Sequence, residues 1–89
     1  MDCLFCKIVA GDIPAQKLYE DEHVFAFHDI TPQAPVHFLV IPKKHIRMLS
    51  DLTVEDTFLA GHILYTAQRL AKELGCDDGF RVVMNTNEI

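Results

Sequence analysis

An α+β fold is predicted by three features of this sequence: two apolar runs carrying histidines, the proline-containing loop that joins them, and a long stretch of helical periodicity downstream. The runs are His23 to Asp29 and His37 to Ile41, with Pro32 and Pro35 between them. Runs of five to seven residues bounded by turn signals suit strands of an antiparallel sheet, and sustained i, i+3, i+4 spacing suits one long covering helix.

The elements follow in order. Cys3 to Ala10 sets Leu4, Phe5, Ile8 and Val9 on one face of a short helix, and Gly11 is a natural stop. Ile13-Pro14 breaks that helix, because proline disfavours helical geometry in the residue before it. Lys17-Leu18-Tyr19-Glu20 reads as a first strand, and Asp21-Glu22 turns the chain into the second. There Val24, Ala26 and His28 share one face while Phe25, Phe27 and Asp29 share the other. The third run is almost wholly apolar and ends at Pro42, which predicts a strand covered on both faces.

Lys43 to Leu52 is a polar connection. Thr53-Val54-Glu55-Asp56 has the form of a capping box, and the helix it opens should run to about Leu74 and stop at Gly75. Leu59, Ala60, Ile63, Leu64, Ala67, Leu70, Ala71 and Leu74 make its core face. A narrower stripe of Val54, Phe58, Gly61 and Tyr65 lies nearly opposite, with the spacing of a helix-helix seam. Scattered surface apolar residues would read the same way, so the stripe has both a plain and a dimer-contact meaning. Asp77-Asp78-Gly79 is a turn, and Phe80 to Asn85 is expected as a last strand.

A chain of 89 residues predicts one domain, residues 1–89, since chains near this length bury only roughly 60 to 65% of their unfolded surface. With 49% hydrophobic residues and no apolar run of about 18 residues, neither a membrane span nor a signal peptide is expected, and the protein is expected to be cytoplasmic. A formal charge of -5 with dispersed basic residues argues against a nucleic-acid backbone as partner. Three cysteines, an odd number, argue against a disulfide framework.

The stretch Phe27-His28-Asp29-Ile30-Thr31-Pro32-Gln33-Ala34-Pro35, followed by His37-Phe38-Leu39-Val40-Ile41-Pro42-Lys43-Lys44-His45-Ile46, closely resembles the histidine triad (HIT) family, in particular its nucleotide-binding branch. The resemblance extends to Cys3-Leu4-Phe5-Cys6-Lys7-Ile8 upstream and to Gly79-Phe80-Arg81-Val82-Val83-Met84-Asn85-Thr86-Asn87 downstream. It implies a HIT-like fold paired as a homodimer. The family's His-x-His-x-His stretch is not present, so the final triad-bearing strand and the nucleophile are expected beyond Ile89. No catalytic residue is therefore assigned within the chain.

The resemblance also implies roles for particular residues. Phe27, His28, Asp29 and Ile30 would line a purine nucleoside pocket, the aromatic and the Ile sandwiching the base and the acid accepting hydrogen bonds from ribose. Leu39 would wall the base, His37 would support the hydrogen-bond network beside the phosphate, and Asn85 would lie near phosphate and ribose. On the residues alone, His28 and Asp29 read as polar residues leaving a sheet, His37 as a satisfied core histidine, and Asn85-Thr86-Asn87 as a plain turn.

Cys3 and Cys6 form a C-x-x-C pair with three readings: zinc, inert buried thiols, or a redox pair that lacks the preceding strand such a motif wants. Relatives with this pair supply a histidine at the position of His45, which makes a structural zinc the implied cofactor; the chemistry itself requires none. Cys76 reads as a filler thiol, and His23 and His62 receive no role. The implied activity is hydrolysis of nucleoside phosphoramidates or related nucleoside monophosphate esters through a nucleotidyl-histidine in the complete protein, with an AMP-like purine nucleotide as ligand. A non-catalytic nucleotide-binding or zinc-stabilised interaction module is the alternative.

Overall fold

The computed structural model describes residues 3–32, 34–84 and 86. Its elements are α1 (Leu4–Ala10), β1 (Lys17–Glu20), β2 (Val24–His28), β3 (Phe38–Pro42), two 3-10 turns at Leu49–Asp51 and Val54–Asp56, and α2 (Thr57–Glu73). The chain divides into one compact unit ending at His45 and another beginning at Ile46.

In the first unit, α1 ends where glycine permits: Gly11 takes φ 86°, and its N–H reaches Ile8 O at 3.1 Å. The turn between β1 and β2 is held by Asp21, whose Oδ1 accepts the N–H groups of His23 and Val24 at 2.8 and 2.9 Å. The three antiparallel strands lie in the order β1, β2, β3, and register irregularity between Lys17 and Tyr19 marks a bulge in β1. β2 and β3 pair Phe27 with Leu39 and Phe25 with Ile41 on one face, and His28 with Phe38 and Ala26 with Val40 on the other. The core gathers Ile8 from α1 with Phe25, Phe27 and Ile41, flanked by Val9, Ile13, Ala15 and Leu39.

Two expectations about burial are corrected here. β2 is buried along both faces, with Val24 and Ala26 at 0% exposure, whereas β3 is mostly half-buried. The reason is position: β2 is flanked by strands on both edges, and sheet order is not written in either strand's own composition. The face of α1 is also narrower than its spacing suggests, since Leu4 and Phe5 are exposed while Ile8 is buried.

In the second unit, the Asp56 carboxylate accepts from the Thr53 N–H at 2.9 Å and the Thr53 hydroxyl at 3.2 Å. This carboxylate half of a capping box opens first a 3-10 turn and then α2. α2 ends near the expected point, with Gly75 at φ 83°. Its buried residues are Thr66, Leu70 and Ala71, while Leu64, expected in the core face, is 46% exposed. The core stripe is thus rotated toward Thr66, a polar residue that hydropathy alone passes over. Val54, Phe58 and Tyr65 are exposed, and the Phe58 ring stacks on His62 at 5.8 Å.

The last expected strand does not form among the described residues: Phe80, Val82, Val83 and Met84 are exposed and outside any strand. β-propensity describes fit to a partner sheet, and a segment without a ladder stays irregular whatever its composition. Among the described residues, no helix is long and apolar enough to cross a membrane.

Candidate functional site

The β2–β3 register decides which chemistry meets which. Continued one step beyond the last ladder pair, it sets Asp29 opposite His37, and the Asp29 N–H reaches His37 O at 3.0 Å. Directly opposed residues of an antiparallel pair point to the same side of the sheet. Asp29 and His37 therefore continue the Phe27–Leu39 face, and His37 Nε2 lies 3.4 Å from Asp29 Oδ2. The other carboxylate oxygen, Oδ1, accepts the Thr31 N–H at 2.9 Å and the Thr31 hydroxyl at 3.3 Å. Asp29 is thereby held from both sides.

The remaining residues distribute around this pair. Phe27 is buried in the core, its ring 6.4 Å from Phe5 and 6.0 Å from Phe25. Leu39 is half-buried beside it, and Ile30 is 90% exposed on the following loop. His28 alternates onto the opposite face of the sheet, so the register separates it from Asp29 and His37. Asn85 lies outside the described residues; its neighbour Thr86 accepts the Ser50 N–H on Oγ1 at 3.1 Å. Thr31 is the structural partner that the sequence reading leaves without a role, whereas Asp21 stands in its expected turn. Asp29-Ile30-Thr31 is an acid followed two residues on by a hydroxyl, a spacing that forms such local turns and is the signal that could have found Thr31.

A second cluster lies in the same unit. Cys3 caps α1, its Sγ accepting the Cys6 N–H at 3.3 Å. Cys6 Sγ in turn lies 3.2 Å from His45 Nδ1, and the ligand atoms of Cys3, Cys6 and His45 all fall within 4.8 Å of one another. The Cys6 N–H, and then its thiol, hold the Cys3 thiol below its ordinary pKa, while donation to Cys3 and partial burial push Cys6 up. Two thiols and an imidazole are zinc donors, and metal bonds of about 2.0–2.3 Å in a tetrahedron put donor atoms roughly 3.5 to 4 Å apart. The cluster has the size and the chemistry for three such ligands.

The same face, helix and cysteine pair invite comparison with known proteins. The HIT domain family model matches residues 10–89. An uncharacterised HIT-like protein of Synechocystis sp. is 50% identical over 84 residues, spanning 94% of this chain and 74% of the relative. One from Synechococcus elongatus is 47% identical over 85 residues, 96% of this chain and 75% of its own. Among solved structures, a HIT family hydrolase from Legionella pneumophila superposes with a TM-score of 0.93 at 48% identity, covering 97% of this chain and 78% of that one. A histidine triad protein from Clostridium difficile gives 0.92 at 47% identity, with 99% and 77% covered. Sequence identity near one half over nearly the whole chain and agreement of the fold lead to one conclusion: this chain belongs to the HIT family.

Proposed function

We propose that this chain binds an AMP-like purine nucleotide and that the complete protein is a hydrolase of nucleoside phosphoramidates or related nucleoside monophosphate esters. The observation that carries the reading is the Asp29–His37 pair set beside the apolar Phe27–Leu39 pair on one sheet face. A flat base suits an apolar wall, and a carboxylate is an acceptor for ribose hydroxyls. Thr31 supplies two donors to Oδ1 and His37 Nε2 lies 3.4 Å from Oδ2, which leaves acceptor capacity on Oδ2 for ribose. Ile30, exposed, would close over the base, and His37 would stand on the phosphate side. His28 and Asn85 are retained in the reading from the family resemblance.

In this reading a histidine of the family's triad attacks the α-phosphorus and expels the leaving group. Water then cleaves the nucleotidyl-histidine and releases the nucleoside monophosphate. The similarity to a protein described as a HIT family hydrolase supports a hydrolytic outcome. Calorimetric titration with AMP tests the binding half: saturable binding lost in Asp29→Ala is expected, and heats no larger than dilution would overturn it. Release of AMP from an AMP phosphoramidate by the complete protein tests the other half.

We also propose that Cys3, Cys6 and His45 hold a structural zinc, with a further ligand from outside this trio. Bound there, the metal would join the start of α1 to the segment after β3 and take no part in the reaction. The exposed stripe of Val54, Phe58, Gly61 and Tyr65 is proposed as the contact of a homodimer. If AMP binds without turnover in the complete protein, the binding-module alternative replaces the enzyme.

A further inference from the structure

The Asp29 carboxylate is gripped through both oxygens by neighbours of different kinds. Thr31 donates twice to Oδ1, at 2.9 and 3.3 Å, and both bonds come from within the same turn. His37 approaches Oδ2 through Nε2 at 3.4 Å, brought there by the strand register. An ionised carboxylate is only an acceptor, so a ring nitrogen facing it at this distance is favoured in its protonated form. In a neutral imidazole the other nitrogen is then the acceptor.

We propose that Thr31 and Asp29 are positioning residues for His37: the turn fixes the carboxylate, and the carboxylate fixes the ring with its proton on Nε2 and its basic lone pair on Nδ1. This deepens the nucleotide reading and rests on it for its catalytic meaning, because His37 is the phosphate-side residue there. A ring fixed in one tautomer offers neighbouring proton donors a single, constant acceptor. A ring free to exchange tautomers would present the correct nitrogen only part of the time.

The chemistry of the grip predicts an inversion. In Asp29→Asn the Thr31 N–H still demands an acceptor, so the amide oxygen stays on that side and the NH₂ turns toward His37. An NH₂ facing Nε2 requires that nitrogen to be the acceptor, and the proton moves to Nδ1. Side-chain size is unchanged.

The experiment is ¹⁵N NMR of the histidine rings at a pH where they are neutral, without nucleotide, in the native protein and in Asp29→Asn, Thr31→Val and Thr31→Ser. The native His37 is expected with Nε2 protonated and Asp29→Asn with Nδ1 protonated; Thr31→Val, which keeps the N–H bond to Oδ1 and loses only the hydroxyl bond, is expected with a smaller Nε2-protonated share than native, and Thr31→Ser with the native share restored. A native ring protonated mainly on Nδ1, or a ring indifferent to Asp29→Asn, would overturn the proposal; a Thr31→Val spectrum identical to native would overturn the part given to Thr31. AMP added afterwards reports on the nucleotide reading alone. Failure to bind leaves the ring spectrum standing, so the two failures are distinguishable.

Discussion

Cys6 Sγ and His45 Nδ1 lie 3.2 Å apart although the two residues are separated by 39 positions in sequence. One belongs to α1 and the other follows β3, so a metal shared between them would tie the ends of the first unit together. Purified protein is expected to carry one zinc per chain by elemental analysis, and Cys6→Ser or His45→Ala to carry little. Because a metal bound only by the folded state adds to stability, chelation should lower Tm, by about 4–8 °C for each kcal/mol removed. Metal-free native protein with an unchanged Tm would dispose of the site.

The corrected face of α2 makes a paired mutational test. Leu70 is buried and Leu64 is 46% exposed, although both fall on the apolar stripe that spacing defines. Leu70→Ala should cost about 2–5 kcal/mol of unfolding free energy, through lost burial and the cavity left behind. Leu64→Ala should cost under about 1 kcal/mol. Urea unfolding of the two variants checks this, and equal losses would contradict the observed rotation of the face.

Asp56 is buried and accepts two hydrogen bonds from Thr53 at the entrance to α2. Asp56→Ala leaves those donors without their acceptor, and a loss of about 1–2 kcal/mol is expected. Asp56→Asn, which keeps one acceptor oxygen, should lose less. Thermal melts followed by circular dichroism would rank the three proteins.

Lys43 Nζ lies 2.8 Å and Lys17 Nζ 3.3 Å from the Glu20 carboxylate, and these two ammonium groups, Lys43 first, hold its pKa below the ordinary glutamate value. A carboxyl whose folded pKa is depressed contributes stability above its unfolded pKa and loses it as pH falls through the folded value. The contribution should therefore be full at neutral pH and fade below pH 4.5. Glu20→Gln should flatten this acid limb slightly, and salt should weaken the difference, since the pair faces solvent. A pH series of melts at low and high salt makes the comparison.

Phe58 and Tyr65 are exposed one above the other on α2, beyond Val54 at the helix entrance. If this stripe is the contact of a homodimer, Phe58→Asp with Tyr65→Asp should halve the mass measured by light scattering while leaving the circular dichroism spectrum in place. A native protein of monomer mass at micromolar concentration would remove the dimer reading.

Local chemistry made much of this molecule legible in its sequence. Gly11 and Gly75 end helices because only glycine enters a left-handed backbone without strain, and Asp21 makes its turn with its own side chain. The Cys3-x-x-Cys6 pair and the motif from Phe27 to Pro42 are equally local, and they carried the family resemblance. Burial was the tertiary structure's to decide. Nothing in the composition of β2 or β3 states which strand is central, and helical spacing leaves open whether Leu64 or Thr66 turns inward. Among the described residues, Phe80 to Met84 has strand composition but pairs with no strand, because a strand is a property of two segments rather than one. The meeting of Asp29 with His37, and of Cys6 with His45, likewise required the β2–β3 register and the return of the chain after β3. Those long-range pairings are fixed by which apolar faces bury together, a choice that the whole chain makes at once.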